Sequence, residues 1–478
     1  MAEIQNRSAC SIMELYNRLE QIMLEMRPAF SREATFEWFV LLLWGALLTT
    51  QPPAVTSYIN ALGLNESYYH QSLHWFHSSA FQVEQLCYQW NQWLERHPMT
   101  HQLNGQRVYV GDGIKVGKEG LKMPGVKGLH QESEDVSKPE WLRGHYFSAF
   151  GLLLGEAKAL FAVPIIIQMH DGIEPLEAND DGTLVDKMAT LCVQFAAQGS
   201  YVLLDAYYST GNVLQPFREY SLNLLSRVRI STVASAPFCP VPGNHGSGRP
   251  RKWGTKLKLR ELFAPVAECD KVSVSLYGRQ VTVHYQCFYL HWDSSSDLVL
   301  FVLSQLPNGK QLILLSSDIT LTGQQVIEAY SWRFKIEVTF RTLIHLLGGF
   351  CYRFWLKTMS RASRWPKNLR LAEHSEEFHA QVATKVEAFE RFVTLNTIAI
   401  GLLQVLALEM PGQVWQHFPL WFRTLPKHGY PSEQIVRLSI QSQRDAILSK
   451  SSSCLLLGKM LATKFQSVQG VGQQLLDP

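Results

Sequence analysis

Residues 107–230 constrain the fold most, because the chain there passes from one repeating pattern to another. RVYVGDGIKV (107–116) puts Val108, Val110, Asp112 and Ile114 on one face, the period of two that marks a half-buried strand. HYFSAFGLLL (145–154) and LFAVPIIIQM (160–169) follow as apolar runs with a short connection, so the three predict an antiparallel meander. LVDKMATLCVQFAAQG (184–199) reads as a helix. YVLLD (201–205) reads as a short, fully apolar strand ending in an aspartate. Past YYSTG, a helix to about Tyr220 leads into the strand LLSRVRI (224–230). Three antiparallel strands followed by strand–helix alternation predict an α/β layer fold with a mixed sheet.

The flanks differ in texture. Residues 1–104 predict helices near 11–26 and 32–48, then a break at TTQPPAV and a short helix in VTSYINALGL. Helix, tight break, helix suits a DNA reader, but Lys and Arg are sparse here and an ordinary helical hairpin is the better expectation. FVLLLWGALL (39–48) is too short to span a bilayer. Residues 231–316 interrupt the α/β scheme as a β-rich insertion. It opens with the basic RPRKWGTKLKL and continues through VSVSLYG, QVTVHYQ, FYLHW, LVLFVLS and QLILLSS, with a hairpin turn at PNG. A core is therefore expected over 105–350 and a helical region over 351–478. FVTLNTIAIGLLQVLALEM (392–410) is that region's clearest helix, and the Ser-rich stretch near 450 and the last ten residues form a weakly ordered tail.

Chain length of 478 residues predicts two to four domains. With 46% hydrophobic and 18% charged residues, the chain is globular and not disordered. Eight scattered Cys, none in a CxxC pair, and no signal-peptide pattern predict reduced thiols in the cytoplasm. Net charge is only +3, so any nucleic-acid surface must come from local clustering.

TGQQVIEAYSWRFKIEVTFRTLIHLLGG (322–349) predicts one long helix. Thr322 and Gln325 form a capping box, and Gly348 and Gly349 stop it. Ile336, Phe340, Leu343 and Leu347 make the core stripe, and Tyr330, Arg333, Glu337 and Arg341 a polar one. Such a polar stripe is often only a solvated ladder. Two other carboxylates change its weight: Asp112 in the first strand, and Asp205 at the carboxyl end of YVLL, where open α/β sheets place ligands. Asp205 also suits a helix cap. Three carboxylates suit hard divalent cations such as Mg²⁺, and two such ions can drive phosphodiester cleavage. Nearby cations suit phosphate: Lys115, Lys118, Lys122 and Lys127, the insertion's Arg249, Arg251, Lys252, Lys256 and Lys258, and Arg333 and Arg341.

VYVGDGIKVGKEG, YVLLDAYYSTGN and YSWRFKIEVTFRTL together resemble the three motifs of a DDE transposase of the bacterial insertion-sequence type, and RPRKWGTKLKLREL is similar to a segment common in these enzymes. The resemblance covers about 107–350. It implies an RNase H-like mixed-sheet core with a β-rich insertion. It implies Asp112, Asp205 and Glu337 as the metal-binding catalytic triad, holding two Mg²⁺ (or Mn²⁺) ions. Tyr330 and Arg333 would hold DNA phosphates, with Arg341, Arg249, Arg251, Lys252, Lys115 and Lys118 as further DNA contacts. The implied partners are DNA, as terminal inverted repeats and target, and a second copy of the chain in a homodimeric synaptic complex. The fuller family motif carries Lys where this chain has Ile344, so that phosphate contact is missing or supplied by Arg341. The alternatives are a catalytically impaired DNA-binding derivative and a stand-alone nuclease. Trp253 and Trp292 are candidates by location for stacking a flipped base, and packing is the better expectation for each.

Overall fold

The computed structural model describes residues 2–131, 139–156, 159–174, 176, 182–238, 253–276, 279–292, 297–421, 428–449 and 456–464. Arg249, Arg251 and Lys252 lie outside the described residues, as does most of the expected tail.

The chain is mixed α/β, with a large mixed sheet and flanking helices. Its main strands are β1 (Gln106–Gly117), β2 (Trp141–Glu156), β3 (Ala159–Met169), β4 (Tyr201–Leu203), β5 (Asn223–Val228), β6 (Arg279–Trp292), β7 (Leu298–Gln305) and β8 (Gln311–Ser316). β1, β2 and β3 form the expected antiparallel meander. β4 then pairs parallel with β1 on one side and with β5 on the other. A parallel neighbour needs a crossover, and the helices Leu184–Phe195 and Gly211–Glu219 supply those crossovers. The order across this part is 3-2-1-4-5.

The strands expected as an insertion do not stand apart. β8 pairs antiparallel with the free edge of β5, β7 with β8, and β6 with β7, so one sheet runs on as 3-2-1-4-5-8-7-6. The reason is an edge requirement: β5 would otherwise leave a row of unpaired backbone groups next to the core.

The helical flanks close over the sheet. The N-terminal region gives α1 (Ala2–Glu25), α2 (Glu33–Leu48), α3 (Val55–Ala61) and α4 (Val83–Glu95). Nearly every residue of α2 is buried, which leaves it no free face for a DNA groove. The expected helix over 322–349 is broken. α5 (Gly323–Trp332) ends at Arg333, α6 (Phe334–Thr342) follows, and Leu343–Leu347 widens into a π turn. α5 rests on β5 and β8, whereas α6 rests on β3 and β1; strands this far apart in a twisted sheet diverge in direction, and the helix changes course between them. The break is a tight turn in which the Arg333 N–H donates to the Tyr330 carbonyl, 3.2 Å. Thr322 and Gln325 do form the capping box, and Gly348 stops the π turn at φ +58°.

Beyond 350 the chain is not helical at once. Residues 351–370 carry no helix, turning near 357–359 and bending at 364–365, and α7 (Glu376–Glu409) begins only after them. α7 is long and apolar enough to cross a membrane, yet its most apolar window is 94% buried against β3, α2 and α4. The Gln404 amide donates to Thr339 on α6 (3.1 Å), and the Thr339 hydroxyl donates to the Ala162 carbonyl on β3 (2.8 Å). α6 is thereby tied to both layers. The buried Arg437 donates to the Ala46 and Thr49 carbonyls at the end of α2 and to the Leu346 carbonyl of the π turn, satisfying the acceptors that helix ends leave open.

A second polar clasp joins the flanks. Glu409, at the end of α7, accepts from the Arg18 Nε and Nη2 atoms at 2.7 and 2.6 Å and lies 2.8 Å from His97 Nε2. Burial pushes its pKa up, but the bonds from Arg18 and His97 outweigh burial and hold it at about 2, against 4.5 ordinarily. A folded pKa below the unfolded one stabilises above pH 4.5, and that contribution fades as pH falls towards 2. Glu409→Gln should therefore cost about 3 kcal/mol at neutral pH, with the cost shrinking below pH 4.5, measured by denaturant unfolding across pH. A cost independent of pH would contradict this.

Candidate active site

Register explains how two aspartates meet. In the parallel β1/β4 pair, Val110 lies opposite Leu203. Asp112 and Asp205 each come two residues later, so they reach the same level of adjacent strands and the same face, roughly 5 Å apart in backbone. α6 packs on that face and carries Glu337. The turn at Arg333 then aims one guanidinium at all three carboxylates. Arg333 Nη1 donates to Asp112 Oδ2 at 2.9 Å and Nη2 to Glu337 Oε1 at 2.6 Å, while Nε lies 4.0 Å from Asp205 Oδ1. The Tyr330 hydroxyl donates to Asp205 Oδ1 at 3.4 Å. Exposure is graded: the Asp112 side chain is 19% exposed, Asp205 34% and Glu337 40%.

The electrostatics follow from this geometry. Burial pushes the Asp112 pKa up to about 6; Arg333 pulls it down, and Asp205 and Glu337 push it up again. Burial opposes the Arg333 charge, yet Asp112, Tyr330, Asp205 and Glu337 together hold its pKa above the ordinary value. Burial raises Tyr330 to about 12, so it stays a neutral donor at physiological pH. Even with Arg333 in place, the ionised form of Asp112 is short of positive charge.

Two glycines flank Asp112 and let the opposite face of β1 pack closely. A Cβ on Gly113 would fall 2.1 Å from the Tyr146 hydroxyl, and one on Gly111 would fall 2.8 Å from Leu204. Tyr146 packs behind Asp112 and shares a hydrogen bond with Tyr208, 2.9 Å. Sequence reasoning assigned neither tyrosine a role, although the glycine after Asp112 marks a close approach. Arg227, at the end of β5, adds positive charge beside Tyr330 and was also missed.

The other expected contacts scatter. Lys118 does not present its charge outward. Its ammonium donates to the Phe350 carbonyl and lies 4.8 Å from the Phe389 ring centre, and burial lowers its pKa to about 8. Lys115 is exposed and donates to the His130 carbonyl, 2.7 Å; it faces the opposite side of β1 from Asp112. Arg341 is exposed on α6, one turn past Glu337. Ile344 packs against the core, so no cation stands at that position. Trp253 lies against the His291 ring at 4.5 Å and Trp292 is buried; both pack within the sheet extension.

Three carboxylates offer hard oxygen donors, the chemistry that divalent Mg²⁺ or Mn²⁺ selects. Among the described residues no three His, Cys, Asp or Glu side chains stand close enough together to hold one ion, because the Arg333 guanidinium lies between these three. The donor set is of the kind that would fit a divalent ion in place of that guanidinium. No protein-family model matches the chain, and no curated protein matches it.

A stability measurement reads the Asp112 environment. The folded pKa, about 6, exceeds the ordinary 3.8. The folded state therefore binds the proton more tightly, and this contribution is lost as pH rises through 6. Asp112→Asn cannot ionise, so it should gain on wild type between pH 4 and 7, by about 2 kcal/mol in denaturant unfolding without divalent ions. A difference that does not grow with pH would show that Asp112 ionises freely.

Proposed function

We propose that the chain is a DDE transposase with an RNase H-like core, cutting DNA at the ends of a mobile element and joining those ends to target DNA. The observation that carries this reading is the convergence of Asp112, Asp205 and Glu337 on one guanidinium at the carboxyl edge of parallel strands. The 3-2-1-4-5 strand order supports the RNase H-like reading, being the order such a core calls for.

In this reading Asp112, Asp205 and Glu337 would hold two Mg²⁺ ions, or Mn²⁺ in their place, and such ions would supply a reactive water and charge neutralisation at the leaving oxygen. Water attacks the phosphodiester at the element's end and the 3′-oxygen leaves as a hydroxyl; that 3′-hydroxyl then attacks a target phosphodiester, forming the new P–O bond as the target strand's own 3′-oxygen leaves with the proton. Arg333, released from the carboxylates, presents its planar fork to a non-bridging phosphate oxygen pair, a contact Lys cannot reproduce. Tyr330 donates its hydroxyl beside it. Tyr146 and Tyr208 fix β1 and the turn after β4, so Asp112 and Asp205 keep their relative height. Arg341, exposed one turn past Glu337, takes the phosphate contact that Ile344 cannot make. Two copies working on paired DNA ends in the cytoplasm complete the proposal.

The test is incubation with the element's own flanking DNA and Mg²⁺, with products resolved on a denaturing gel. Wild type should nick the ends and yield joined products. Asp205→Asn should cut about a hundredfold more slowly or worse, yet bind DNA in EDTA as wild type does. Wild type that leaves the DNA uncut, or Asp205→Asn that cuts normally, would overturn the reading. Cutting without joining would assign a nuclease.

A further inference from the structure

Between residues 351 and 370 the chain carries six cations and no acid: Arg353, Lys357, Arg361, Arg364, Lys367 and Arg370. The whole chain has 44 basic and 41 acidic residues. Setting these six aside leaves 38 against 41, so the remainder is net acidic, at −3. A basic segment on an acidic body is a local electrostatic footprint.

The segment begins just after Gly348 stops the helix that carries Glu337, and it contains no helix. Its first part alternates with period two. Phe354 and Leu356 point into the core, while Arg353, Trp355 and Lys357 face solvent. An indole has much to gain from burial, yet Trp355 is 64% exposed with a cation on either side. The pattern repeats further on. Trp365 is 45% exposed, has the Arg364 guanidinium 5.6 Å from its ring centre, and stands 6.3 Å from the exposed Trp141.

The backbone is held in place. Leu356 and Ala362 donate to the Lys122 and Leu121 carbonyls at 2.9 and 2.7 Å, Gly128 donates to Pro366 at 2.8 Å, and Leu369 to Gly172 at 2.9 Å. Leu356 also packs with Phe378 and Val382. The exposed side chains thus stand on a fixed strap. Among the described residues only Arg370 of the six makes an ion pair, with Glu174 and Glu373. Beside the strap lies a groove of about 1060 Å³ whose lining includes Tyr69, Tyr352, Trp355 and Lys385.

We infer that residues 351–370 form a platform for single-stranded DNA, with phosphates on Arg353, Lys357, Arg361 and Arg364 and bases stacked on Trp355 and Trp365. Interleaved cations and exposed aromatic faces are the chemistry that holds an unpaired strand; in a duplex the base faces are hidden. A membrane surface is the poorer fit, because interfacial segments are amphipathic helices and this one contains no helix. The strap is reached from the carboxylates along β1. Its anchors, Leu121 and Lys122, lie just past Gly117, which is five residues and about 17 Å beyond Asp112. The choice of DNA over RNA rests on the transposase reading; the platform itself rests on the strap.

The experiment is fluorescence anisotropy in EDTA, with a labelled single-stranded DNA of about 20 nucleotides, enough to cover such a site. A duplex of the same sequence, its RNA counterpart and anionic vesicles complete the set. Wild type should prefer single-stranded DNA. Trp355→Ala should weaken that binding about 5- to 150-fold, the value of one stacked base, and leave the duplex nearly unchanged. Replacing Arg353, Lys357 and Arg361 with Ala should lower the salt slope by about 2. Thermal unfolding should confirm that these exposed substitutions leave the fold intact. Variants that bind as wild type, or a preference for duplex, RNA or vesicles, would overturn the inference. Nothing is cut in EDTA, so failure here is distinct from failure of the cleavage test.

Discussion

Three carboxylates on one face of a sheet repel one another, and Arg333 is the cation that lies among them. Its guanidinium is 14% exposed and reaches Asp112 at 2.9 Å and Glu337 at 2.6 Å. Removing one member of such a partly buried group leaves the others uncompensated. Several separate features of the fold serve this contact. The β1/β4 register levels Asp112 with Asp205, Gly111 and Gly113 let Leu204 and Tyr146 pack closely behind Asp112, and the turn at Arg333 re-aims the helix. That positive charge still does not bring Asp112 back to its ordinary pKa. Burial is the larger cause of that shift, with Asp205 and Glu337 adding to it.

The scaffold fixes α6 from outside the sheet. Thr339 bonds the β3 backbone and Gln404 bonds Thr339, so α6 cannot slide along β3 without breaking a buried chain of hydrogen bonds. Arg437 fastens the π turn that follows to the end of α2. The N- and C-terminal helices therefore contribute to the site without touching it. The same arrangement delivers the strap: the chain leaves the stopped π turn directly into residues 351–370.

Much of this was legible in the sequence because the relevant forces are local. A period-two pattern gave β1, unbroken apolar runs gave β2 and β3, and the Thr322–Gln325 box and Gly348 gave the ends of the Glu337 region. The convergence of Asp112 and Asp205 was legible as two apolar strands that each lead to an aspartate. What escaped depends on tertiary geometry. No local signal breaks the helix at Arg333, since the break comes from resting on two diverging parts of one sheet. The sheet extension looked like a separate insertion because strand texture does not reveal which edge a strand joins. Lys118 looked like a surface cation, but its stem carries the ammonium in to the Phe350 carbonyl. The strap was hidden by its own composition: a basic, aromatic segment with Pro366 has no regular period over its length, although residues 353–357 alternate.

The central claim is that Asp112, Asp205 and Glu337 make a divalent-cation site held ready by Arg333, and metal binding without DNA tests it most directly. Calorimetric titration with Mn²⁺ should show saturable uptake by wild type, weakened at least about tenfold by Asp112→Asn or Asp205→Asn, the scale of losing one charged ligand. Arg333→Met should take up Mn²⁺ more tightly than wild type, because the competing guanidinium is gone. Saturable uptake in neither wild type nor Arg333→Met, or uptake indifferent to both aspartate substitutions, would show that the three carboxylates are partners of an arginine and nothing more.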